Sequence, residues 1–125
     1  MADTTISKRV VPVAVKVTVS DGGDVGITCT PNPAPVPASN SLLAFTLVTP
    51  GYRFRKSRTI ELDVPDTDFP YDSWTMTDTL ATLYDLNNNK DAFAYTVYVV
   101  DESTGQEYSV DPIIQNGGGG PGTGD

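Results

Sequence analysis

The segment YSVDPIIQNGGGG, residues 108–120, places two fragile peptide bonds five residues apart. Asp111 precedes Pro112; an aspartate can attack its own carbonyl carbon, and a proline nitrogen is a better proton acceptor and leaving group than an ordinary amide. Asn116 precedes Gly117, and a following glycine, with no Cβ, leaves the next backbone nitrogen free to close onto the Asn side chain as a succinimide. The remaining residues limit what chemistry can act on these bonds. With no histidine and a single cysteine, Cys29, histidine triads, Cys/His metal sites and an internal disulfide are excluded. Sixteen Asp and Glu residues leave the carboxylate as the well-supplied catalytic group. Two carboxylates that share a proton titrate apart, so that one acts as base while the other donates.

Asp111, beside the weak bond, is the first catalytic candidate, with Tyr98 expected across from it as a hydrogen-bond donor. Asp66, Asp68 and Asp72 are the candidate second acids, each also readable as a solvated turn or cap residue. Asp66-Thr67-Asp68 partly matches the Asp-Thr-Gly of pepsin-like enzymes, without the glycine. A strained Asp72-Ser73 bond offers an N-to-O acyl shift as another route. Asp101 is too far along its strand to reach Asp111. Cys29 reads as a small buried hydrophobe. The tail glycines lack the lysine of a phosphate loop, and no metal or cofactor is expected.

The elements that must position these groups are strands. Apolar residues alternate with period two in nearly every segment. In VPVAVKVTVS, residues 11–20, every odd position through Val19 is valine. A hairpin with VGITC, residues 25–29, pairs Val19 with Val25 and Val17 with Ile27. PNPAPVPAS, residues 31–39, reads as a crossover loop. LLAFTLV and YRF flank Pro50-Gly51, which suits a type II turn. TIELDV turns Ile60, Leu62 and Val64 inward. SWTMT and TLATLYDL read as one broken strand or two short ones, with a helical turn over 79–83 as the alternative. AFAYTVYVVD and QEYSVDPII form a hairpin; a tight turn at Ser103–Gln106 sets Tyr95, Val97 and Val99 opposite Ile114, Pro112 and Val110, and Asp111 opposite Tyr98. Pro112 makes the last strand an edge or interrupts its ladder.

Seven or eight such strands predict an all-β, Ig-like, two-sheet antiparallel sandwich. Asp91 four residues before Tyr95 resembles the tyrosine corner of such domains. One domain spans residues 1–116, and 117–125 is a glycine-rich tail with nothing to bury.

Net charge is −8 and the isoelectric point about 4.2, which argues against nucleic acid as a partner. No run has the length of a membrane span and the first residues lack a signal-peptide core, so a cytoplasmic protein without membrane contact is expected. RFRKSR, residues 53–58, holds four of the eight basic residues, and ELDVPDTDFPYD, residues 61–72, five of the acids. These patches are either solvated or complementary between subunits, in which case the chain forms a homo-oligomer through them and its edge strand.

VDPIIQN, residues 110–116, together with the short all-β chain and its glycine-rich end, resembles the DP-EP family of small bacterial proteins. The chain carries Asp-Pro and no Glu-Pro. The resemblance implies a β-sandwich that cleaves itself and assembles, an aspartic-type endopeptidase acting through carboxylates on its own strained chain. The competing class is a non-catalytic sandwich module for binding or assembly.

Overall fold

Alternating valines make a strand with one buried side. The computed structural model of the chain, which describes residues 9–118, realises this as β1 (Val10–Val19). Val11, Val13, Val15 and Val17 are buried, whereas Val19 at the strand end is exposed. β1 pairs antiparallel with β2 (Val25–Thr30), and Val17 faces Ile27 and Val19 faces Val25 as expected. On its other side β1 lies parallel to β4 (Ser41–Leu47). β8 (Leu80–Asp85) and β7 (Trp74–Thr77) complete this first sheet, each antiparallel to its neighbour.

The second sheet is built on β9 (Lys90–Asp101). β10 (Glu107–Val110) and β11 (Ile113–Gly117) run antiparallel along one flank of β9, in one continuous register broken at Asp111-Pro112. β5 (Tyr52–Phe54) and β6 (Ile60–Leu62) occupy the other flank. β3 (Ala34–Val36) adds to β11 in parallel. Val13, Val15, Leu43 and Phe45 of the first sheet meet Tyr95, Val97, Val99 and Ile114 of the second in a core from which water is excluded. Phe45 and Tyr95 meet edge to face at 5.6 Å, a favoured arrangement for aromatic quadrupoles.

The all-β two-sheet sandwich matches the sequence; several details differ. Both sheets are mixed, and the described residues form eleven strands where seven or eight are expected. PNPAPVPAS is not all loop, because Ala34 and Val36 bury while Pro35 faces out, so β3 fits the sheet edge, where proline is tolerated. Thr49-Pro50-Gly51 does not close a hairpin: β4 and β5 belong to different sheets, and the turn, with Gly51 at φ 87°, carries the chain between them. Residues 74–85 form a hairpin rather than a helical turn. Val64 lies beyond the end of β6 and is 73% exposed rather than inward.

The last hairpin is shifted by two residues from the expected pairing, Val110 facing Val97 instead of Val99. Its loop is longer than a tight turn. Asp101 N donates to Gln106 O at 2.9 Å, Gly105 N donates to Asp101 O at 2.7 Å, and the Asp101 carboxylate accepts Ser103 N and Ser103 Oγ. Those Ser103 hydrogen bonds hold the Asp101 carboxyl below the ordinary carboxylate range. A shift of two keeps every side chain on its face, so the core pattern survives while the neighbour of Asp111 changes.

Nor is a tyrosine corner formed. Tyr95 is fully buried, and its hydroxyl, beside the Cys29 thiol, lacks a well-formed hydrogen bond. Burial pushes the thiol up to about 11 and the phenol above its usual value. A thiol is a weak partner, so the hydroxyl contributes little. Tyr95→Phe is expected to match or exceed the parent in urea unfolding, by up to about 1 kcal/mol; a loss beyond that size would reveal a partner for the hydroxyl.

Candidate functional site

Pro112 has no amide hydrogen, and the ladder along β9 opens there. The segment is held instead by Pro112 O, which accepts Tyr95 N at 3.0 Å, and by Ile113 N, which donates to Asn32 Oδ1 at 2.9 Å. Asp111 is exposed. The two-residue shift sets it beside Thr96 instead of Tyr98. Thr96 Oγ1 lies 2.6 Å from Asp111 Oδ1 and 2.8 Å from Asp63 Oδ1. Asp63 follows β6, whose Glu61 pairs with Thr96, and its N–H donates to Ala94 O at 3.0 Å. One hydroxyl with one hydrogen thus spans two water-accessible carboxyls next to the Asp111-Pro112 bond.

The expected companions of Asp111 lie elsewhere, and no hydrogen bond joins it to Asp66, Asp68 or Asp72. Asp66 Oδ1 accepts Asp68 N at 2.9 Å, a local turn that caps the 66–69 loop. Asp66 and the exposed Asp72 line a cleft of about 180 Å³ together with Arg58, Glu61 and Ser73. The Ser73 hydroxyl accepts Ile60 N at 3.0 Å. Tyr98 faces Ser109 and lies under the Arg55 guanidinium, 3.6 Å from the ring centroid. Arg55 also donates to Glu107 and contacts Glu61, and Arg58 pairs with Glu61. Part of the basic run is therefore paired within its own sheet.

Asp68 is fully buried and anchors a different centre. Its Oδ1 accepts Asn88 N at 3.1 Å, and its Oδ2 accepts Asn89 N and Asn116 Nδ2, each at 3.1 Å. Asn116 Nδ2 gives its other hydrogen to Asp85 Oδ1 at 2.9 Å, and Asp85 Oδ1 also accepts Asn87 N at 2.8 Å. Asn87 Nδ2 donates to Val36 O and Ala38 O, and Gly118 N donates to Asn87 Oδ1. The network ties the 66–69 and 87–89 loops to β3, β8 and β11. Asp85 Oδ2 and Asn116 Oδ1 are buried without partners.

Burial pushes the Asp85 carboxyl up to about 6; hydrogen bonds from Asn116 and Asn87 oppose this, while the charges of Asp68 and Asp66 add to it. The folded state therefore binds the proton more tightly than the unfolded chain. This contribution to stability is fully present below the ordinary value of 3.8 and is lost as pH rises through about 6. Against an Asp85→Asn variant, the parent is expected to lose on the order of 1–2 kcal/mol between about pH 4 and pH 6.5. Parallel urea titrations across that range check it; identical slopes for the two proteins would contradict it.

Asp63, Asp85 and Asn87 were not singled out from the sequence. Asp85 had a legible signal: it continues the inward parity of Ala81 and Leu83, where a charge needs a reason. Asn116 likewise follows Ile114 inward. Asp63 had none, since its place beside Asp111 depends on the register of two strand pairs.

A scan against protein-family models finds no match to the chain, and a search of curated proteins finds none either.

Proposed function

We propose that the protein cleaves its own chain once, at Asp111-Pro112, using the Asp63 and Asp111 carboxyls that Thr96 holds. The carrying observation is the shared hydroxyl, at 2.6 Å and 2.8 Å from the two acids, beside a chemically weak bond whose Asp111 side is exposed and whose Pro112 side is buried. The Asp111 carboxylate attacks its own carbonyl carbon and closes a five-membered anhydride. The bond to the Pro112 nitrogen breaks as Asp63, in its protonated form, supplies the proton that nitrogen needs. Water then opens the anhydride and leaves a free carboxyl terminus at Asp111. The resemblance of VDPIIQN to the self-cleaving DP-EP family agrees with this reading.

The reaction occurs once per molecule, and the pieces stay together. Ile114 is fully buried and β11 remains paired with β9 and β3, so release would expose core. Asp111→Asn is expected to abolish the cut, and Asp63→Asn to slow it about 100-fold, followed on denaturing gels through days of incubation at mildly acid pH. Equal fragmentation of parent and both variants would exclude the mechanism.

A second reading, an assembly module, has its own observation. Edge strand β7 carries Trp74 and Met76, 68% and 49% exposed, beside Tyr71 at 67%. Self-association would use this uncharged edge in place of the basic run, whose Arg55 and Arg58 are paired within the chain.

A further inference from the structure

The sandwich is open along the side where β6 and β7 form the margins of their sheets. Among the described residues β6 pairs only with β9, and β7 only with β8. Between these margins lies the cleft of about 180 Å³, with the buried side chains of Ile60, Phe69 and Leu83 as its floor and Asp66 and Asp72 at its rim. Small-molecule sites begin at roughly 300 Å³, so this space suits one long side chain. Its walls are fixed by hydrogen bonds between the sheets: Ile60 N donates to Ser73 Oγ and Thr75 Oγ1 donates to Arg55 O, each at 3.0 Å. Tyr71 stands at the mouth, braced by Tyr84 with 5.9 Å between ring centroids.

Charge gives the sign of the occupant. Arg58 and Glu61 offset each other across 3.5 Å, while among the described residues no salt bridge reaches Asp66 or Asp72. Two unmatched carboxylates over an apolar floor call for a side chain with an apolar stem and a positive tip. The narrow space favours the slim stem and compact ammonium of lysine over the broad planar guanidinium of arginine.

The backbone that carries this lysine is read from β7. The strand has neither charge nor proline to blunt its edge, and Trp74 and Met76 are largely exposed. An extended segment can add to such an edge. The bulge between Thr75 and Thr77 ends regular pairing, so the added strand is short and lies beside the cleft. Side chains alternate along it, so a lysine pointing into the cleft sets its two neighbours on the outer face with Trp74.

We propose that the cleft between β6 and β7 binds one lysine side chain of a different protein, presented on an extended segment that adds to β7. The ammonium sits at Asp66 and Asp72, the stem lies along Ile60 and Phe69, and the flanking residues cover Trp74. A second copy of this chain fits less well. Lys16 and Lys90 lie in strands already paired, Lys56 lies in the bend between β5 and β6, and Lys8 is outside the described residues.

Trp74 is the sole tryptophan, so its emission reads the site directly. The probe is the blocked peptide Thr-Val-Lys-Val-Thr, titrated into the full chain beside its Nε-acetyl-lysine counterpart. Expected are a saturable blue shift with a Kd of about 1 mM or tighter, weakening as salt is raised, and no response to the acetylated peptide, which has lost its charge. Asp72→Asn, at an exposed position, is expected to weaken binding at least about tenfold. The proposal is overturned by the absence of a saturable shift at millimolar peptide, or by equal binding of the acetylated peptide. Unchanged affinity in Asp72→Asn overturns it too, as does a blue shift on concentrating the protein alone, which would place a second copy on β7. Neither result bears on the cut at Asp111-Pro112, which is read by fragment mass.

Discussion

Replacing Asn116 with aspartate is expected to destabilise the fold by about 3–5 kcal/mol at neutral pH. Asn116 is fully buried, and its amide nitrogen is the one group that donates to both Asp68 and Asp85. The substitution changes shape hardly at all. It removes both donated hydrogens and brings a third carboxyl against two others, so like charges face one another where water cannot screen them. Against a typical total of about 5–15 kcal/mol, that removes much of the stability of the sandwich. Protonation relieves the repulsion, so the penalty shrinks toward about pH 4, and urea unfolding at both pH values reads the difference. A loss under about 1 kcal/mol at neutral pH would mean that the cluster is hydrated and loosely held.

Asp68→Ala is the second large effect, again about 3–5 kcal/mol. Its carboxylate satisfies Asn88 N, Asn89 N and Asn116 Nδ2, while its backbone carbonyl accepts Leu86 N at 2.8 Å. Truncation keeps the backbone bond and strands three donors in one step. The 87–89 loop, which passes through Asn87 at φ 56°, loses the contacts that stabilise that backbone shape. Hydrogen exchange at Asn88 and Asn89 is expected to quicken along with the drop in the urea midpoint. Since Asp68 and Asn116 share one network, the double substitution Asp68→Ala, Asn116→Ala should cost well under the sum of the singles. Additive losses would contradict a shared network.

Parity carried the sequence reading a long way. The valine alternation of β1 and the Val17–Ile27 pairing followed from which side chains had to share a face, because a slip of one residue would turn the buried set to solvent. The β9–β10 register did not follow. A slip of two keeps all the apolar faces matched, so hydrophobic patterning cannot distinguish Val110 opposite Val97 from Val110 opposite Val99. The loop decides, through hydrogen bonds at Asp101, Ser103 and Gly105 that composition alone does not specify. That single slip moved Tyr98 away from Asp111 and brought Thr96, and with it Asp63, into its place.

Nor were the parallel pairings of β1 with β4 and of β3 with β11 visible, since alternation is silent about direction. The buried cluster was half legible. Asp68 is legible as a candidate acid, but its side-chain partners come from β11 and the 87–89 loop, far from it in sequence. Asp85 and Asn116 stood at inward positions of their strands, where a polar residue marks either a fold-specifying bond or a reacting group. The network shows that they are bonded to one another, a role that no local pattern predicts.

Mass spectrometry of the freshly purified and then aged protein, under denaturing conditions, tests self-cleavage most directly. Fragments Met1–Asp111 and Pro112–Asp125, accumulating together in the parent and missing from Asp111→Asn, are the expected result. A parent chain that stays whole at mildly acid pH, or a cut at 111–112 that persists in that variant, would contradict it.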